Sequence, residues 1–153
     1  MPRTLQNEVA VLASAKYGLV YLSANDWNLI VDKASRVSFK TGERIVRRGE
    51  KTDGVHIILD GMAVVELPAR VKFPAIGPGE ICGEMSFLDE LPASANVVAD
   101  EPVEALFLDR ATLSSLFELF PHLGSRFYRS LSANLSHRLR GLIRSSDERG
   151  VTR

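Results

Sequence analysis

Side chains able to do chemistry are thinly spread in this chain. His56, His122 and His137 lie far apart, and none has a second ligand at the short spacing a metal site uses. Cys82 is the only cysteine, which rules out an internal disulfide or a cysteine-built metal centre. It follows Ile81 in an apolar stretch with no basic neighbour to lower its pKa, so a buried structural thiol is favoured over a redox-sensing thiolate. No segment has the Gly-x-Ser-x-Gly layout of a nucleophile elbow or the pattern of a Walker loop. These residues point to binding and not to catalysis, so the expectation is a protein that is not an enzyme.

Two segments stand out. From Phe73 through Asp109 there is no Lys or Arg, while eight acids fall in that stretch, Glu80, Glu84 and Asp89 among them. Within it, Glu84 reads as the first-turn carboxylate of a short helix, favoured there by the helix dipole. Ser94 can take an anion or satisfy nearby backbone. The second segment, from Arg126 to Arg144, has five arginines and no acid. It reads as a solvated face, or as a docking surface for an acidic protein or for the acidic stretch of the same or a partner chain. Nucleic acid ranks behind both.

The elements that carry these segments follow from periodicity. Residues 5–14 can form a short helix. Ser23, with Asp26 three residues on, caps a second, in which Trp27 lies in the first turn and Leu29, Ile30 and Ala34 give an apolar stripe. From Arg36 the period falls to two. Strands are expected around Val37–Phe39, Arg44–Arg47, Val55–Leu59, Met62–Leu67, Val71–Ile76, Asn96–Ala99 and Val103–Leu108, separated by Gly, Pro and Asp-Gly turn signals. Asp109 then caps a helix through Leu119, Pro121 ends or restarts it, and 123–146 reads as one long helix. Its stripe of Phe127, Tyr128, Leu131, Leu135, Leu139 and Leu142 can pack on its own domain or on a second copy. Arg138 interrupts that seam, so a long coiled coil is not supported.

The bulk numbers fit one domain over 1–153. Hydrophobic content is 45%, and 19 basic residues balance 19 acidic ones. That balance argues against nucleic acid or an anionic membrane as an obligate partner. No apolar run approaches a membrane span, and no signal peptide is evident, so the default location is cytoplasmic.

The ordered set Phe39-Lys40-Thr41-Gly42-Glu43-Arg44-Ile45, Arg48-Gly49-Glu50 and Val55-His56-Ile57-Ile58-Leu59-Asp60-Gly61 resembles the opening strands of cyclic-nucleotide-binding domains. These are the sensory domains of catabolite-activator-type regulators and cyclic-nucleotide-dependent kinases. Gly77-Pro78-Gly79-Glu80, Gly83-Glu84-Met85-Ser86-Phe87-Leu88 and Pro92-Ala93-Ser94-Ala95-Asn96-Val97 resemble the family's phosphate-binding cassette. The resemblance implies an α+β fold: a jelly-roll-like antiparallel β-roll over about 36–109, flanked by N-terminal helices and by C-terminal helices over about 110–146, the last one long. It implies a pocket for cAMP or cGMP at Gly83, Glu84, Met85, Ser86, Ala93 and Ser94. There, amides of a short helix receive the phosphate, and Glu84 accepts a hydrogen bond from the ribose.

The chain departs from that pattern at one position. Where the family carries its phosphate-pairing arginine stands Ala93, so nucleotide binding is expected to be weakened or lost. Arg70 or Lys72 before the cassette, or Arg126 or Arg129 of the last helix, could supply the missing charge. The resemblance further implies a homodimer through the last helix, and an output passed to a partner protein. The alternatives are a genuine cAMP or cGMP receptor using Glu84, Ser94 and an arginine from elsewhere, or a transcription regulator lacking its DNA-binding module.

Overall fold

A computed structural model describes residues 5–68 and 73–151, with side chains described through residue 145. Two helices come first, α1 (Leu5–Ala13) and α2 (Ala24–Lys33). Ser23 Oγ accepts from the Asp26 amide while the Asp26 carboxylate accepts from the Ser23 amide, so two of the helix's orphan donors are satisfied reciprocally. Strands β1 (Ser35–Phe39), β2 (Arg44–Val46), β3 (Gly54–Asp60), β4 (Ala63–Glu66) and β5 (Ile81–Cys82) follow. The short helix α3 (Glu84–Asp89) precedes β6 (Asn96–Ala99) and β7 (Val103–Asp109). Asp109 caps α4 (Arg110–Leu119) through the Thr112 amide. Pro121 then opens α5 (Pro121–Val151), where its missing N–H costs nothing.

The strands form two antiparallel sheets, ordered β1-β7-β3-β5 and β2-β6-β4. This is the expected β-roll with helices at both chain ends. Both faces of β3 are covered. Val55, Ile57 and Leu59 join Trp27, Phe127 and Leu131 in the core beneath the helices. Ile58 turns the other way, into a second core between the sheets with Ile45, Val97, Ala105 and Cys82. The period of two thus feeds two separate cores from one strand. His56 is half-buried between the Phe39 and Phe107 rings, and that burial pushes its pKa down to about 4.

The strand expected over Val71–Ile76 is corrected where it is described. Residues 73–75 form no strand, and Ile76 makes only an isolated bridge with Ala63. Pro74 lacks the N–H that a ladder would need there.

Beside the side-chain core beneath the helices, the N-terminal layer meets the roll at one point where backbone lies close to backbone. A Cβ placed on Gly18 would lie 2.5 Å from the Gly79 carbonyl oxygen, and one on Gly79 would lie 2.6 Å from that of Leu12. Asn134 of α5 reaches the same place, donating to the Gly18 carbonyl at 3.0 Å.

Candidate functional site

The cassette is a helical turn and a loop facing one cavity. Gly83 sits at the N-cap of α3 with φ 85°, a conformation that favours glycine, and it supplies no side chain to the helix's free amides. Glu84 and Ser86 are buried behind it, while Met85 is exposed. The far side is pinned by backbone: Gly49 donates to the Ala93 carbonyl at 2.9 Å, and Ala93 donates to that of Glu50 at 3.0 Å. The Arg48 amide also reaches Asn96 Oδ1 at 2.7 Å. These contacts fix Ala93 and Ser94 opposite the start of α3. A cavity of about 260 Å³ lies between, and all six residues expected at the pocket line it: Gly83, Glu84, Met85, Ser86, Ala93 and Ser94.

One cation reaches this cavity among its described lining residues, and it is Arg138 of α5. Its Nη1 donates to Glu84 Oε1, with the two side chains 16% and 6% exposed. The guanidinium also lies 5.2 Å from the centre of the Phe73 ring, within cation–π range. Burial raises the pKa of Glu84 above its ordinary value, and Arg138 only partly opposes that. Cys82 is likewise pushed up, first by burial and then by the neighbouring Glu84 charge, which makes it a packed thiol and not a nucleophile.

The other proposed sources of charge go elsewhere or are not described. Arg126 forms a two-toothed pair with Asp26, from Nε at 2.6 Å and Nη2 at 2.8 Å. Arg129 stacks on Tyr21 at 3.9 Å. Neither closes over the pocket. Arg70 and Lys72 lie outside the described residues. The sequence did not single out Arg110, whose Nη2 donates to the Phe87 carbonyl at 2.8 Å and whose guanidinium lies 4.6 Å from the Phe87 ring centre, tying α4 to α3.

The stripe expected to meet a partner helix is divided. Phe127 and Leu131 are fully buried in the chain's own core, so a partner helix cannot reach them. Leu135 and Leu142 are half-buried, and Leu142 lines the cavity. Tyr128 and Leu139 remain exposed, at 43% and 58%, with Ile143 beside them.

Residues 36–119 match the model of the family described as the cyclic nucleotide-binding domain. The chain belongs to the cyclic nucleotide-binding domain family. Glutaminase 2 of Bradyrhizobium diazoefficiens is 31% identical over 121 residues, covering 79% of this chain and 19% of that protein. A cyclic nucleotide-binding domain from Methylobacillus flagellatus superposes with a TM-score of 0.74 at 24% identity, covering 94% of this chain and 81% of that one. The regulatory subunit of a cAMP-independent protein kinase A from Trypanosoma brucei does so with a TM-score of 0.65 at 25% identity, covering 84% and 46%. The chain spans from 5% to 19% of the length of the curated relatives it matches.

As a cyclic nucleotide-binding domain, the chain has a regulatory fold whose cassette falls inside the matched residues. Arg138 falls outside them, on α5. No helix among the described residues is long and apolar enough to cross a membrane.

Proposed function

We propose that this cyclic nucleotide-binding domain is a non-enzymatic regulatory module with weak or no nucleotide binding, working through a partner protein. One observation carries the reading. Ala93 lines the cradle at the position the resemblance gives to the phosphate arginine, and the one cation among the cavity's described lining residues, Arg138, is held by Glu84, the carboxylate the resemblance assigns to the ribose. A cyclic nucleotide would have to break that pair and then desolvate its phosphate with no second guanidinium among the described lining residues. Charged hydrogen bonds contribute about 1.5–3 kcal/mol each. The likeness to a cAMP-independent kinase regulatory subunit is compatible with this reading.

Calorimetry of the purified chain with cAMP and cGMP tests it. Weak or absent heats are expected, and tight stoichiometric binding would overturn it. Ala93→Arg should raise nucleotide affinity about tenfold to a hundredfold, because the Ala93 backbone is already held in place by Gly49 and Glu50.

Arg138 also motivates a second reading, a genuine cAMP or cGMP receptor in which Arg138 leaves Glu84 and pairs with the phosphate. Under that reading the wild-type chain binds nucleotide tightly, and Arg138→Gln abolishes the binding. The exposed Tyr128, Leu139 and Ile143 favour association through α5 with a second copy. Sedimentation of the wild-type chain against Leu139→Glu would report it, with loss of the dimer expected.

A further inference from the structure

The wall of the cavity beside α3 is mostly carbon. Val46, Val65, Leu67, Met85, Val97 and Leu142 contribute to it. Among its described lining residues the charge is one opposed pair, Glu84 with Arg138. At about 260 Å³ it sits just below the small end of ligand pockets. We propose that this cavity takes a small amphipathic carboxylate, an apolar or aromatic body carrying one carboxylate, which displaces Glu84 from Arg138.

The inference rests on the reading that cyclic nucleotides bind here weakly or not at all, and three physical points carry it. First, apolar walls reward an apolar body, at roughly 25 cal/mol for each Å² of apolar surface removed from water. Sugar hydroxyls and phosphodiester oxygens placed against the carbon walls would lose water there and find partners only toward the start of α3, Ser94 and the Glu84–Arg138 pair. Second, Arg138 meets Glu84 through one described hydrogen bond, whereas Arg126 grips Asp26 through two. A carboxylate entering from the cavity can offer the two-toothed contact that Glu84 does not make. Burial already disfavours the charge on Glu84, which makes it a replaceable partner. Third, Arg138 has room to turn. It also lines a second cavity of about 270 Å³, formed with Tyr17, Pro74, His137 and Gly141, so the guanidinium stands between two spaces and not inside a packed core.

The test uses the full chain and two matched probes, 4-phenylbutyrate and its uncharged amide, 4-phenylbutyramide, followed by NMR titration. The acid should bind at least about tenfold more tightly than the amide. Arg138→Gln should erase that advantage, and Glu84→Gln should increase affinity for the acid. Equal binding of acid and amide, no saturable binding of the acid, or unchanged acid binding in Arg138→Gln would overturn the proposal. The comparison of acid with amide is made on the unaltered chain, so it decides the matter even if a variant fails to fold. Tight binding of cAMP or cGMP in parallel titrations would instead defeat the weak-nucleotide reading, an outcome distinct from failure of the acid to bind.

Discussion

Among its described residues, helix α5 makes two arginine–carboxylate pairs with the same chemical parts and opposite electrostatic outcomes. Arg126 meets Asp26 in the first turn of α2, and Arg138 meets Glu84 in the first turn of α3. Asp26 accepts two hydrogen bonds from Arg126 and one from the Ser23 amide, and its pKa falls below the ordinary carboxylate value, led by the Arg126 bond. Glu84 has Arg138 alone among these side-chain partners, faces an apolar cavity, and its pKa rises because burial outweighs the pairing. The lesson is that pairing does not define a clamp. The number of hydrogen bonds to the charged form, set against the desolvation it suffers, decides whether the contact holds structure together or can be exchanged.

The largest expected effect separates the two directly. Asp26→Ala should destabilise the chain by about 2–3 kcal/mol in urea denaturation, since it removes both the capping box and the anchor of α5. Arg126 is partly exposed and can return to water, which keeps the loss below that of a fully buried pair. A loss under about 0.5 kcal/mol would make the two pairs equivalent. Next in size, the double variant Glu84→Leu with Arg138→Leu should be neutral or stabilising by about 1 kcal/mol in the same assay, because an apolar cavity rim suits apolar side chains. A loss of several kcal/mol would show that Glu84–Arg138 is a second clamp.

The smallest and sharpest effect lies in the sign of the pH dependence. Asp26 has a depressed pKa, so its contribution is present above the ordinary value of 3.8 and is lost as pH falls below it. Glu84 has a raised pKa, so it favours the folded state most when protonated, and that contribution fades as pH rises above the ordinary value of 4.5. Subtracting the stability–pH curves of Asp26→Asn and Glu84→Gln from that of the wild type should therefore give slopes of opposite sign. Slopes of the same sign would contradict the contrast.

The roll was legible because turn glycines and a period of two mark strands locally, as with Asp60-Gly61 after β3. The capping box at Ser23 and Asp26 was half-legible: the cap follows from the two residue types and their spacing, but nothing local announces that Asp26 also holds Arg126 one hundred residues away. Arg138 interrupts the apolar seam, as its charge implies, but its pairing with Glu84 is not legible locally. Its true setting follows from extending the buried stripe of Phe127 and Leu131 by helical steps. Asn134 and Arg138 fall at seven and eleven residues beyond Phe127, on the same face, so the polar end of that stripe points into the domain. The periodicity was present, but which face of α5 is covered depends on how the helix docks, and that is set by tertiary packing. The same cause removed Phe127 and Leu131 from the surface expected to meet a partner.

The contact of Gly18 with Gly79 couples three parts of the molecule at one backbone crossing. The turn carrying Gly79 leads through Glu80 into the rim of the second cavity, which Arg138 also lines, and Asn134 holds α5 to the Gly18 carbonyl. With only the Ala15 methyl beside that crossing, a shift of α5 of even a few tenths of an ångström has little slack in which to be absorbed. Whatever moves Arg138 should therefore be felt in the N-terminal segment, whose Tyr17 borders the same second cavity and meets the His137 ring at 5.5 Å.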